Sequence, residues 1–419
     1  MGRDKALIEI SSTPLWEHQL TLLQKAGFTE ILISTREGQS IPANDPRFTN
    51  VPDPSPDLGP LAGIQACLEK TSTPEALIVA VDQIHLTETT LPESGIYHDG
   101  TRFHPFPGIY PKSLLPKISK ALTTSDLSLQ SLLKKADLQK LPLPDSTAQS
   151  LSSLNSPADI PHPIQRYADG SYQPTTDHLA PEEPLEIRIE GKPFSIAMRT
   201  PGHDRELAAG FLLSEGIIKK QSDIFELSQC PSTTGQGSVI DVLLTDSKSF
   251  APEKLRRHVL TGSSCGLCGK ETIASLLQDF PPIEPVPAPD PEIILSLPEK
   301  MRAAQDAFTK TGGIHACALF TPTGKLIALR EDVGRHNALD KLLGHALLSK
   351  KNQLPLRETI LLLSGRVSFE MVQKAHAGGI PTIAAISAPS DLAVATAQAA
   401  GQNLFGFVRK VTFNFYKNL

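Results

Sequence analysis

A strand–turn–helix pattern recurs through the last third of the chain and constrains its fold more than any other feature. Thr359-Ile360-Leu361-Leu362-Leu363 is a short apolar run that ends in Ser364-Gly365-Arg366, with a helical stretch over Ser368 to His376. Thr382-Ile383-Ala384-Ala385-Ile386 repeats it, ending in Ser387-Ala388-Pro389-Ser390 before a helix to Gln398. Ahead of both, strand-like Ile314 to Phe320 and Ile327 to Leu329 lead to Arg335-His336 and a helix from Ala338 to Leu348. Phe405 to Arg409 closes the series. Short apolar runs alternating with helices call for an α/β layer. Small-residue turns at the strand ends then put amides and guanidinium groups on one edge, a setting suited to phosphates. One such arginine is an ordinary solvated side chain. The recurrence of Arg335, Arg366 and Arg409 points to a site.

A second signal lies upstream, in Ser263-Ser264-Cys265-Gly266-Leu267-Cys268-Gly269-Lys270. Glycines on three sides favour an open loop, because glycine tolerates positive φ. Lys270 and a helix reading over Glu271 to Leu277 would lower a thiol pKa from about 8.5 towards neutrality. Spacing alone leaves three readings open: thiol chemistry, half a zinc site, or small buried residues. A structural zinc needs four ligands, and Cys67, Cys230 and Cys317 are solitary. A zinc deaminase would pair Pro-Cys-x-x-Cys with His-x-Glu. No histidine here has glutamate two residues later, and Ser264 precedes the pair.

At 419 residues, 40% apolar and 20% charged, the chain has room for two or three domains with soluble globular cores. A net charge of −5 gives no basic footprint for nucleic acid. No apolar run reaches the roughly 20 residues of a membrane helix, and no signal-peptide pattern opens the sequence. Five sparse cysteines fit a reducing cytoplasm better than a disulfide framework.

Residues 1–160 read as alternating α and β. Leu15 to Lys25 has a helical period, Ile31 to Ile33 is a short strand, and Ala76 to Val81 is a stronger one. This pattern predicts a parallel sheet covered on both faces, with Asp82 at the strand end where such sheets hold ligands. An aspartate there serves equally well as a turn residue. Eight prolines between Pro142 and Pro184 read as a linker over 161–183. From 184 a β-rich passage begins: Leu185 to Lys192 alternates and turns at Gly191, Thr200 to Asp204 is a turn, Glu206 to Leu213 a helix, and Ser238 to Leu244 a strand. Six prolines between Pro281 and Pro291 then read as a surface connector.

Two family resemblances follow from these motifs. Met1-Gly2-Arg3-Asp4-Lys5-Ala6-Leu7, Asp53, Gly59-Pro60-Leu61-Ala62-Gly63-Ile64, Asp82, His104-Pro105 and Leu154-Asn155-Ser156-Pro157 resemble molybdenum cofactor guanylyltransferases (MobA), which join GMP from GTP to molybdopterin. The resemblance implies that Lys5 touches phosphate, Ser34 and Asp53 lie near the nucleotide, and Asp82 holds Mg²⁺. Where that family usually continues Met-Pro or Thr-Pro, this chain has Gln83-Ile84. The family also opens with a strand and a Leu-Ala-Gly-Gly turn that cradles triphosphate, and the sequence begins after both. The expectation is an incomplete Rossmann-like nucleotidyltransferase domain, with the GTP chemistry impaired.

Residues from about Asp177 to Tyr416 resemble the formate dehydrogenase accessory sulfurtransferases (FdhD). The matches are Glu183-Pro184-Leu185, Arg199-Thr200-Pro201-Gly202, Gly210 to Gly216, the Cys265–Cys268 loop, Thr311 to Ala316, Glu331 to Lys341, Ser364 to Glu370 and Gly406 to Arg409. The resemblance implies a cytidine-deaminase-like α/β domain, preceded by the β-rich segment and usually dimeric. It implies that Cys265, assisted by Cys268, carries persulfide sulfur from a cysteine desulfurase to molybdenum bis-guanine dinucleotide, maturing formate dehydrogenase. The cofactor contacts expected are Arg335 and His336, Ser364-Gly365-Arg366, and Phe405-Gly406-Phe407-Val408-Arg409-Lys410. A non-catalytic cofactor chaperone and a dithiol redox protein are the alternatives.

Overall fold

The computed structural model describes residues 4–10, 13–53, 58–124, 126–151, 153–154, 157–230, 237–246, 283–349 and 354–417. The chain divides into two units, Met1–Thr176 and Asp177–Leu419. Both mix helices with sheets.

In the first unit α1 (Leu15–Lys25) forms as its periodicity predicts. Strands β1 (Leu32–Thr35) and β2 (Thr49–Pro52) pair in parallel, and α2 (Pro60–Lys70) follows a turn in which Gly59 takes φ +68°. The strong apolar run becomes β3 (Glu75–Ile78), which ends three residues earlier than expected. It pairs not in parallel but antiparallel with β5 (Phe103–Pro111), which also pairs β4 (Ile96–His98) antiparallel. With β6 (Lys140–Pro142) parallel to β4, the order is β3-β5-β4-β6. The expected all-parallel sheet is therefore a two-stranded parallel sheet and a four-stranded mixed one. Apolar runs report burial on both faces, and burial does not carry strand direction. α3 (Leu115–Thr123), α4 (Leu129–Lys135) and α2 pack Ile118, Leu133 and Leu61 on the mixed sheet around Tyr110. Within 161–183, read as a linker, β7 (Pro161–Ala168) and β8 (Ser171–His178) pair as a hairpin through Asp169-Gly170, both at positive φ.

Among the described residues the second unit holds two sheets, with helices packed between them and on the outer face of the larger one. β9 (Glu183–Ile189) turns through Glu190-Gly191 into β10 (Lys192–Arg199). After α5 (Asp204–Ser214), β11 (Ile224–Cys230) and β12 (Ser238–Leu244) complete a sheet of order β10-β9-β12-β11. α6 (Pro291–Ala303) and the short α7 (Asp306–Thr311) lead to the larger sheet. Its strands are β13 (His315–Phe320), β14 (Leu326–Asp332), β15 (Ile360–Leu363), β16 (Thr382–Ala385), β17 (Asn403–Gly406) and β18 (Asn414–Phe415). The order is β14-β13-β15-β16-β17-β18, with β15, β16 and β17 mutually parallel and β13 antiparallel to both β14 and β15. α8 (Arg335–Leu348), α9 (Phe369–Ala377) and α10 (Asp391–Ala399) are the connecting helices.

Burial on both faces explains the unbroken apolar strands. Leu361 and Leu363 join the core shared with β9, β12, α5 and α8, while Ile360 and Leu362 face Leu297 and Met301 of α6. Helices α5 and α8 cross through two glycines. A Cβ on Gly210 would stand 1.8 Å from the Asp340 carbonyl oxygen, and one on Gly344 equally close to that of Glu206. Only glycine permits backbones so near each other.

Candidate functional site

Parallel pairing sends β15, β16 and β17 to the same sheet edge, where the first two end in small-residue turns and the third in Gly406 and the Phe407–Lys410 turn. Antiparallel β13 begins at that edge, with His315 opposite Asp332, and β14 ends there. Arg335 and His336, the turn Ser364-Gly365-Arg366 and the turn following Gly406 are thus gathered along one edge. α8 starts at Arg335, three residues earlier than the sequence predicts, so Arg335 and His336 lie in its first turn. The earlier start follows from Asp332, whose carboxylate accepts the Gly334 amide at 2.8 Å and fixes the chain just before the helix. Gly334, Ser368 and Ser390 precede α8, α9 and α10, so three helix N-termini lie at this edge, and at α10 the Ser390 and Asp391 side chains already accept the Ala393 and Leu392 amides.

Residues along the edge do different work. Ser364 accepts the Ala316 amide through Oγ at 2.9 Å and locks β15 to β13. Gly365 lies against the His315 ring, and a Cβ there would be 3.2 Å from Nδ1 and 3.7 Å from Arg335 Cδ. Arg366 is exposed, with no hydrogen bond or ion pair among the described residues. Phe405 and Val408 point inward, Phe405 stacking on Phe415 at 4.4 Å. Phe407 is exposed at φ +55°, Gly406 packs against Pro389, and Lys410 is exposed. Arg409 turns back, its guanidinium donating to the carbonyls of Ile386 and Val408. That arginine holds the shape of its turn.

The end nearest β13 is electropositive. Burial first, then Arg335 and His336, push the His315 pKa below the ordinary histidine value. His336 Nε2 sits 2.8 Å from Glu370 Oε2, though without hydrogen-bond geometry, which brings the first turns of α8 and α9 side by side. Arg335 Nε and Ser368 Oγ are buried, and neither finds a hydrogen-bond partner among the described residues. His315 and Ser368 were not among the expected contacts. Nothing in local periodicity marks them, and the antiparallel register of β13 is what brings His315 to the edge.

Acidic residues near the arginines are committed elsewhere. Glu331 accepts the Ala307 and Phe308 amides at 2.9 Å each, at the start of α7. Asp332 pairs Lys341 at 2.7 Å and accepts the Thr200 amide, while Lys341 donates to the Thr200 carbonyl. Arg199 is bidentate on Asp204 and reaches Ser238 Oγ. The Arg199-Thr200 and Glu331–Lys341 motifs thereby join the smaller sheet to the larger, so much of their chemistry is structural.

In the first unit Lys5 Nζ and Asp82 Oδ2 form an ion pair of 2.6 Å. Asp82 lies past the end of β3, in the following turn. Ser34 is on β1 facing α2, where a Cβ on Gly63 would come within 2.7 Å of its Oγ. Asp53 follows β2 and its amide donates to Thr35 at 2.7 Å. Burial, then the charge of Asp53, push the Cys67 thiol up to about 11, so no nucleophile is offered there. Gln83 is buried and donates to the carbonyls of Phe106 and Leu151. One carboxylate with nearby substrate phosphates is a donor set that Mg²⁺ accepts, and Asp82 fits that role. Among the described residues no cluster of three acidic, histidine or cysteine side chains could hold a metal by itself, and no helix is long and apolar enough to cross a membrane. Cys265 and Cys268 lie outside the described residues. Cys67 and Cys230 are half-buried and Cys317 is buried.

Comparison with known proteins covers both units. Residues 180–419, more than half of the chain, match the FdhD/NarQ family. The chain belongs to the FdhD/NarQ family. Residues 1–141 match the MobA-like NTP transferase domain. FdhD relatives include the sulfur carrier protein FdhD of Streptomyces avermitilis, 48% identical over 264 residues that span 60% of this chain and 92% of the relative. The sulfur carrier protein FdhD of Streptomyces coelicolor is 47% identical over the same shares. The solved structure of a protein described as a formate dehydrogenase accessory protein, from Desulfotalea psychrophila, is 27% identical with a TM-score of 0.49, covering 62% of this chain and 96% of that one.

Proposed function

We propose that the second unit is a sulfurtransferase that carries persulfide sulfur on Cys265 and delivers it to molybdenum bis-guanine dinucleotide, the cofactor of formate dehydrogenase. Membership of the FdhD/NarQ family, whose relatives are named sulfur carriers, together with two thiols in one glycine-rich loop, carries this reading. A cysteine desulfurase is the donor. The Cys265 thiolate attacks the outer sulfur of the donor persulfide, a new S–S bond forms, and the donor cysteine leaves as thiolate with no net redox change. Release balances if Cys268 attacks the inner sulfur of the Cys265 persulfide. Hydrosulfide departs to the cofactor, and the Cys265–Cys268 disulfide left behind is reopened by a dithiol reductant.

The electropositive edge supports guanine-dinucleotide binding through Arg335, Arg366 and the Phe405–Lys410 turn. In the first unit the MobA-like match supports a reading in which Lys5 would contact the phosphates of GTP and Asp82 would hold Mg²⁺, in a nucleotidyltransferase domain of impaired activity. Joining the two units in one chain links the enzyme class that makes the cofactor to one that modifies it. The protein works as a cytoplasmic homodimer.

The full chain, incubated with a cysteine desulfurase and cysteine, should gain about 32 Da on the Cys265 peptide, the mass of one sulfur atom. Cys265→Ala should lose both the adduct and sulfur delivery while still binding cofactor. An undiminished adduct and full delivery in that variant would overturn the assignment. Cys268→Ala should load normally and transfer poorly.

A further inference from the structure

Asp82 lies beyond Ile78, the last residue of β3, so the strand ladder does not fix the direction of its carboxylate. The turn is held by other bonds. The Asp82 carbonyl accepts the Leu154 amide at 2.9 Å, and the Gln83 amide closes the turn on the Ala80 carbonyl at 3.3 Å. Gln83 spends its side-chain amide on the Phe106 carbonyl of β5 at 2.8 Å and on the Leu151 carbonyl at 3.1 Å. Gln19, on α1, donates to the Gln83 backbone carbonyl at 2.9 Å. The turn is thereby tied to α1, to β5 and to Leu151 and Leu154. Both glutamines are buried, and the Oε1 of each has no hydrogen-bond partner among the described residues. A buried acceptor without a donor is unfavourable, and an apolar side chain would fill the same space without that cost. What the glutamines add is the set of bonds they donate.

We propose that Gln83 and Gln19 are positioning residues, which hold the Asp82 turn so that its carboxylate stays aimed where a divalent cation and a nucleotide phosphate meet. This rests on the reading of Asp82 as the Mg²⁺ ligand and adds the residues that set its geometry. The Lys5–Asp82 pair at 2.6 Å marks the direction, since the carboxylate is presented to the side chain that would contact phosphate. Mg²⁺ demands near-ideal octahedral geometry, so a site with one protein carboxylate depends on how that carboxylate is aimed. Hydrogen bonds that orient a metal-binding group are worth roughly ten- to a hundredfold in affinity. Bonds to the backbone of the turn act in the same way, by fixing where the side chain starts.

Mn²⁺ serves as the probe, its binding to the full chain in the presence of GTP followed by electron paramagnetic resonance. Asp82→Asn should weaken this binding most. Gln83→Leu should weaken it roughly tenfold, and Gln19→Leu should weaken it less, because one bond is lost rather than two. Adding Gln83→Leu to Asp82→Asn should weaken it no further, because the glutamine acts through that carboxylate. GTP binding without metal should be equal in the wild type and Gln83→Leu. If Gln83→Leu fails to fold, Gln19→Leu carries the test. A merely structural role would lower metal-free GTP binding in step with Mn²⁺ binding and would add to the loss in Asp82→Asn, and either result overturns the proposal. Mn²⁺ binding that both glutamine variants keep while Asp82→Asn loses it overturns the positioning role and leaves the Asp82 reading standing. Mn²⁺ binding that Asp82→Asn keeps in full, or that the wild type lacks, overturns the Asp82 reading and the positioning role with it.

Discussion

Lys374 Nζ stands 2.8 Å from both Asp340 Oδ2 and Ser214 Oγ, so one buried ammonium ties together α9, α8 and α5. Burial opposes its charge, yet Asp340, with Glu215, outweighs it and holds the lysine pKa above its ordinary value. Lys374→Met should strand the Asp340 carboxylate and cost about 3–5 kcal/mol. Lys374→Met/Asp340→Leu should recover most of that loss. Urea unfolding of the single and double variants measures the coupling, and equal losses would show that the two do not act as a pair.

The crossing of α5 and α8 makes a second prediction. Gly210→Ala places a methyl against the Asp340 carbonyl and forces the helices apart, for an expected loss of about 1–3 kcal/mol or more. Gly313→Ala is the control, because its Cβ would meet only ordinary contacts at 3.7 Å and beyond. Thermal melts should separate the two variants clearly. Matching melting temperatures would mean that the helices can shift at little cost.

His315 makes stability depend on pH. Its folded pKa lies below the unfolded value of about 6.5. Between those values the unfolded chain binds more protons, so stability is full above about pH 6.5 and falls as pH drops towards the folded pKa. His315→Gln should lose less melting temperature than the wild type between pH 7.5 and 5.5. A parallel decline in the two proteins would assign the effect to other groups.

Arg366 and Arg409 should differ in kind. Arg366 is exposed and without partners among the described residues, whereas Arg409 is spent on the carbonyls of its own turn. A charge-assisted contact to phosphate contributes about 1.5–3 kcal/mol, so Arg366→Ala should weaken GDP binding roughly tenfold or more with an unchanged melt. Arg409→Ala should lower the melting temperature as well as the affinity. Wild-type GDP binding in both variants would place the nucleotide elsewhere.

The sequence by itself determined the local elements of the second unit. The apolar runs at Ile360–Leu363 and Thr382–Ala385 became strands, and the helices after Ser368 and Ser390 started within a residue of their expected positions. Such elements follow from periodicity and small polar residues at the helix start, which are nearest-neighbour properties. The family was legible in the same way, through short motifs that keep their spacing.

Tertiary structure alone decided how those elements meet. The run at Glu75–Ile78 was recognisable as a strand, but its antiparallel partner depends on the path of the chain. Residues 161–178 read as a proline-bearing linker, and pairing made them a hairpin. His315 reaches the sheet edge only because β13 runs antiparallel to β15, and the exposed Arg409 folds back on its own turn only because the Ile386 carbonyl is there to accept it. Lys374 and Asp340 are 34 residues apart, and no pattern in either neighbourhood announces the pair. Register, strand direction and buried charge pairing depend on contacts distant in sequence, whose energies exist only once the chain has folded.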